Sequence, residues 1–148
     1  MAPLIVLVVL FALLSGLGYT GIPFAFGWWT ALRVALAGMF LLTASAHWGK
    51  RRPDLIRMIP PVFPRPELIV TITGIIEILG AAGLLFPARA RYAALALSGM
   101  LLAVFPANVH AARKQMSIAG SPVPSLLPRT LMQIIFVAAA VAIFLGGK

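Results

Sequence analysis

Six side chains of types that do chemistry stand in or beside long apolar runs: His47, Glu77, Asn108, His110, Arg129 and Gln133. A polar or ionisable group in hydrocarbon is costly and turns towards a bundle interior or a cavity. A carboxyl, two imidazoles, a guanidinium and two amides can together hold the polar head of a lipophilic molecule, attract an anion, or move a proton. Three and four residues from Glu77 stand Thr73, Gly74, Gly80 and Ala81. This is a small-residue stripe that lets helices approach closely, so Glu77 is expected to face protein. A charged carboxylate near the bilayer centre costs about 2.5–3.5 kcal/mol on insertion scales. No Lys or Arg lies at matching depth, so Glu77 reads as a neutral interhelical clasp. Arg129 and Gln133 are four apart and share a helix face. Pro106 leaves the Leu102 carbonyl without its helical partner, close to Asn108. Glu77 lies about ten residues, roughly 15 Å, below the start of its segment. His47 is nearer the surface, so direct contact between the two is not expected.

Each residue also has a structural reading. Asn108 and Gln133 can simply bond across helices. His47 and His110 suit the interface, Arg129 suits lipid phosphate, and Arg33 can reach the opposite interface. No His-x-x-x-His or Glu-x-x-His pair occurs, so no metal site is expected. Nucleotide loops, serine elbows and haem motifs are missing as well. With no cysteine, disulfides and thiol chemistry are excluded within the chain.

The elements that position these groups follow from composition. Of 148 residues, 61% are hydrophobic and 10% charged, with a mean hydropathy of +1.04. A soluble domain is about 45–50% apolar and about 25% charged, so the excess must face lipid. Five apolar stretches run over about 3–18, 28–48, 67–86, 89–112 and 126–145. They lack strand-like alternation, and backbone groups in hydrocarbon must bond internally. The predicted fold is all-α: a polytopic integral membrane protein with a four-helix bundle core and an additional N-terminal transmembrane helix. The first stretch has no basic n-region and no clear cleavage site, so it reads as a retained helix. Gly16, Gly18, Gly21 and Pro23 should break this first stretch. Segment 49–66 carries Pro53, Pro60, Pro61, Pro64 and Pro66, a density that excludes a helix through it and suggests a rigid apolar lid over the polar layer. Residues 87–91 should form a tight turn, and 113–128 a looser connection.

Segments 49–66 and 113–129 fall on one face and hold eight positive charges. Arg33, Arg89, Arg91 and Lys148 lie on the other. The heavier face is expected to be cytoplasmic, which puts the N-terminus inside and Lys148 outside. The net charge of +9 therefore reads as loops against anionic lipid, with no nucleic-acid partner.

Five short motifs occur in order: 38–48 (GMFLLTASAHW), 58–64 (MIPPVFP), 73–85 (TGIIEILGAAGLL), 104–109 (VFPANV) and 127–133 (LPRTLMQ). In these the chain resembles the DoxX-like family of small bacterial membrane proteins, over about 31–144 and without the first helix. The resemblance implies a four-helix membrane bundle in a bacterial cytoplasmic membrane and a link to redox or oxidative-stress partner proteins. The residues matching its pattern are His47, Glu77, Asn108, Arg129 and Gln133. Where a relative works through thiols, this cysteine-free chain departs from it.

The leading expectation is an accessory or binding subunit that holds a quinone or lipid between helices. His47, Asn108 and Gln133 would bond the polar head, and Arg129 would attract an anionic one. The alternatives are proton transfer on a lipophilic substrate by Glu77 with His47, or a structural or assembly protein with no ligand. The helices are too few for a monomeric carrier, though an oligomer would supply more.

Overall fold

The computed structural model describes residues 1–18 and 27–146, and is mostly helical. The expected break at Gly21 and Pro23, and Lys148, lie outside the described residues. The helices are α1 (Ala2–Gly18), α2 (Trp28–Ser45), α3 (Arg52–Met58), α4 (Pro66–Leu85), α5 (Pro87–Arg113) and α6 (Leu126–Gly146). Four of them, α2, α4, α5 and α6, are long and apolar enough to cross a membrane, and α1 is a shorter apolar helix.

The core lies where these helices present small and aliphatic residues at helical spacing. Ala35, Leu36, Met39 and Phe40 of α2 are buried with Ala81 and Leu84 of α4, Ala90, Ala94 and Leu97 of α5, and Ala140 and Ile143 of α6. Repeats of three and four residues put each set on one face of its helix. Gly80 brings α4 against α5, since a Cβ there would meet Leu97 Cδ2 at 2.5 Å. Helix α1 packs on α2 through Leu7, through Leu10 over Gly38, and through Phe11 edge-on to Trp28 at 4.6 Å between ring centres.

Two expectations about connections are corrected. Residues 87–91 are not the turn: α4 ends at Leu85, α5 begins at Pro87, and Phe86 alone joins them. A proline at the first helical position gives up an N–H that would have no intrahelical partner, and its fixed φ suits the helix. Segment 49–66 is not free of helix either, because α3 occupies its first half. Pro53 stands in the first turn of α3, where proline is tolerated, and Pro60 and Pro61 follow its end.

Strands β1 (Ser117–Ile118) and β2 (Ser121–Pro122) form a minimal antiparallel hairpin. Its two turn residues, Ala119 and Gly120, have φ of 49° and 77°. Positive φ at both positions is what a two-residue type I′ turn requires. Met58 of α3 is buried against Ala107 and Ala111 of α5, with Leu55, Ile59, Met116, Ile118 and Val123 around it. This second, small core fastens the two basic segments to the same end of the bundle.

Asp54 closes that end. Its Oδ2 accepts the Ala119 N–H at 2.8 Å, and Arg57 donates to Oδ1. The Ala119 hydrogen bond first, and then Arg57, hold the carboxyl below its ordinary range. A depressed carboxyl stabilises the fold above its unfolded pKa of about 3.9 and loses that contribution as pH falls through the lower folded value. Hydrogen-exchange protection of the Ala119 amide is therefore expected to hold at neutral pH and fall below about pH 4. In Asp54→Ala it should be low throughout. Equal protection in both proteins at pH 7 would remove the latch.

Candidate functional site: two polar clusters between helices

The first cluster lies between α2 and α4. Thr43, His47 and Glu77 meet there, with His47 and Glu77 both buried. Thr43 Oγ1 stands 2.8 Å from Glu77 Oε2 and 2.9 Å from its own helix's Phe40 carbonyl. A hydroxyl has one proton and cannot donate to both. Both contacts are satisfied when Glu77 is a neutral acid donating its O–H to Thr43, while Thr43 donates to Phe40. His47 Nδ1 lies 3.2 Å from the Thr43 carbonyl, so the tautomer with a proton on Nδ1 donates to it.

The same Nδ1 is 3.8 Å from Glu77 Oε2, closer than depth along the helices suggests but without a direct hydrogen bond. Depth counted along each helix misplaced His47. The last turn of α2 tightens, with Ala46 N–H on the Thr43 carbonyl and His47 N–H on that of Ala44. His47 then settles over Gly74, where a Cβ would come within 2.8 Å of His47 Cβ. That places the imidazole one helical turn from Glu77.

Sequence reasoning missed the residue that fixes this geometry. Arg52, at the start of α3, donates to the His47 carbonyl at 2.8 Å, the Glu67 carbonyl at 3.2 Å and Thr71 Oγ1 at 2.9 Å. It ties the end of α2 to the first turns of α4. Thr43 was legible as the residue four before His47 on the same face; Arg52 had no such signal, because two of its three partners are backbone carbonyls.

The second cluster lies between α5 and α6. Arg129 Nη2 donates to Asn108 Oδ1 at 2.7 Å, and Asn108 Nδ2 donates to Gln133 Oε1 at 3.2 Å. Gln133 Nε2 in turn donates to the Leu101 carbonyl. The side-chain partner is thus Leu101, not the Leu102 carbonyl that Pro106 frees. Leu101 is buried between the helices while Leu102 faces outward, and a helical carbonyl has a second lone pair for a side chain. His110, half-buried near the end of α5, joins neither cluster. No hydrogen bond links the two clusters among the described residues.

Between α4, α5 and the proline-rich loop lies an apolar groove of ≈150 Å³. Ile59, Pro60 and Phe63 roof it, Ile69 and Thr73 line one wall, and Ala103, Val104, Pro106 and Ala107 the other. None of His47, Glu77, Asn108, Arg129 and Gln133 lines this groove, because their side chains are turned into the helix contacts on either side of it.

Residues 36–144 match the family described as a domain of unknown function (DUF8561). The chain belongs to this family. The matched stretch takes in both polar clusters and the groove and leaves α1 outside. No curated protein and no solved structure matches the chain.

The proton count at Thr43 gives an expected result for Glu77. Glu77→Gln should keep near wild-type thermal stability in detergent, since an amide N–H replaces the acid O–H towards Thr43. Glu77→Leu should lose about 0.6 kcal/mol, the mean for interhelical hydrogen bonds in membranes. The loss stays modest because Thr43 keeps its bond to Phe40. If Gln destabilises as much as Leu, the carboxyl is ionised and the neutral clasp is wrong.

Proposed function

We propose that this chain is a multi-pass membrane protein, DoxX-like in type, that serves as a binding or accessory subunit for a lipid or quinone. Support for membrane insertion comes from the outer faces of the long helices. Leu79, Leu102, Leu131 and Leu145 are large, apolar and exposed, one or more on each of α4, α5 and α6. Soluble monomers rarely expose continuous apolar surface on this scale. In this reading α1 is a fifth crossing at the lower length limit of about 17 residues. The basic end is then cytoplasmic, in a bacterial inner membrane.

The observation that carries the ligand reading is the groove itself, apolar on both walls but for Thr73 and roofed by Ile59, Pro60 and Phe63. Its ≈150 Å³ is below the roughly 300–1,000 Å³ of a site that encloses a whole ligand. It suits a segment of acyl or isoprenoid chain, with the remainder in the bilayer. Asn108 and Gln133 spend their hydrogen bonds on Arg129, on one another and on the Leu101 carbonyl, so they shape the bundle rather than bind the head directly. Mass spectrometry of protein purified in mild detergent should find a stoichiometric lipid or quinone. Ala103→Trp fills the groove without touching either polar cluster, and should lose it. Equal retention by wild type and Ala103→Trp would sink the groove as the binding site.

Two buried titratable side chains that lie 3.8 Å apart, beyond direct hydrogen-bond distance, support one second reading, proton transfer on a lipophilic substrate that bridges them. It predicts that Glu77→Gln purifies with an isomer of the same mass but different chromatographic retention, as unconverted substrate accumulates. The binding reading predicts the same molecule in both.

A further inference from the structure

The basic end of the bundle holds several arginines, and the structure uses them differently. Arg52 is spent on three acceptors, and Arg57 is paired with Asp54. Arg129 is partly buried and, among the described residues, has no carboxylate within ion-pair distance and one acceptor, Asn108 Oδ1. The relay behind that acceptor runs one way. Arg129 donates to Asn108, Asn108 donates to Gln133, and Gln133 donates to the Leu101 carbonyl. Each amide uses its oxygen towards Arg129 and its nitrogen away from it, so neither can flip without breaking the chain of bonds. The guanidinium is thereby held in place by neutral groups only, which orient it and leave its charge uncompensated. A guanidinium has five N–H donors in a fixed fork, and its geometry matches the oxygens of a phosphate.

We infer that Arg129, positioned by Asn108 and Gln133, is a receptor for an anionic phosphate, as in the headgroup of an acidic phospholipid. This rests on the reading of the chain as a lipid-binding membrane protein and narrows it, since a quinone head offers carbonyls and no anionic phosphate. Asn108 and Gln133 are positioning residues here. The charge on Arg129 does the binding, and the relay aims it. Chains of hydrogen bonds that share one direction polarise and stiffen one another, which suits this role.

The test is made in nanodiscs, counting the lipids retained on the protein by native mass spectrometry. In phosphatidylcholine discs doped with phosphatidylglycerol, wild type should retain phosphatidylglycerol above its bulk proportion. Arg129→Gln removes the charge and leaves the Asn108–Gln133–Leu101 bonds, which do not involve residue 129, in place. Its enrichment should drop by about tenfold, the loss expected for one charge-assisted hydrogen bond. Arg129→Lys keeps the charge without the fork and should fall between. A second arm uses pure phosphatidylcholine discs with inorganic phosphate against chloride at equal ionic strength. Thermal protection by phosphate in wild type, missing in Arg129→Gln, would identify a soluble phosphate as the source; enrichment in the first arm alone identifies the headgroup. Equal phosphatidylglycerol retention in wild type and Arg129→Gln, with no phosphate protection, overturns the inference. If the Ala103-sensitive molecule is then still bound, the lipid-binding reading stands without it. If nothing is bound in any arm, both fall.

Discussion

Gly74→Val is expected to lower the melting temperature in detergent more than any other single change considered in the α2–α4 contact. A Cβ at position 74 would stand 2.8 Å from His47 Cβ and Cγ and 2.7 Å from Trp48 Cη2. The tip of an indole can swing aside, but His47 Cβ is one bond from the backbone. The end of α2 must therefore move away from α4. Overpacking of this kind costs about 1–3 kcal/mol, occasionally more. The displacement would also carry His47 away from Glu77 and strain the three hydrogen bonds of Arg52. The control is Gly99→Ala, because a Cβ at Gly99 has nothing within 4 Å. It should match or slightly exceed wild type, since Gly in a helix interior is less favourable than Ala by about 0.8–1.0 kcal/mol. If Gly74→Val melts together with Gly99→Ala, the close approach of the two helices at His47 is not there.

Asn108→Leu is expected to cost about 3 kcal/mol, well above the mean of about 0.6 kcal/mol for an interhelical hydrogen bond in membranes. That mean is small because a helix separated in lipid finds other partners. Here the central member of a relay is removed, so Gln133 Oε1 loses its donor and the Arg129 guanidinium its one acceptor among the described residues. A buried polar group left unpaired costs about 1–3 kcal/mol, and a charged one more. Asn108→Asp should lose less, because it regains Arg129 as an ion pair while forfeiting the donor to Gln133. Unfolding in mixed micelles would rank the three proteins wild type, Asp, Leu. A loss in Asn108→Leu below about 0.5 kcal/mol would mean the relay carries little of the α5–α6 contact.

Within this fold, much of the helical framework was legible residue by residue. The stripe of Thr73, Gly74, Gly80 and Ala81 placed Glu77 inward, and Glu77 is buried beside Thr43 of α2 while Gly80 packs on Leu97 of α5. A period of 3.6 residues is a local property, so spacing alone says which side chains share a face. Helix ends were less legible where proline stood. Pro53 and Pro87 read as breaks, yet both open helices, because proline is a stop in a helix interior and a start in the first turn.

The candidate site was legible as a set of residues but not as an arrangement. Asn108, Arg129 and Gln133 do join, since they fall near facing ends of two consecutive antiparallel helices. His47 and Glu77 lie in one cluster through Thr43, the tightened end of α2 and the space above Gly74, 3.8 Å apart and without a direct hydrogen bond. The two groups form separate clusters, and the groove lies beside both of them.

Composition and hydrophobic period by themselves determined the helices, their apolar outer faces, the inward turn of Glu77 and the gathering of positive charge on two segments. Each depends only on neighbours along the chain. Tertiary structure alone decided that Arg52 clasps α2 to α4, that Asp54 reaches a turn 65 residues away, and that Gln133 takes the Leu101 carbonyl. Those acceptors and donors are mostly backbone groups, which every residue carries, so no residue type marks them until packing brings one within reach.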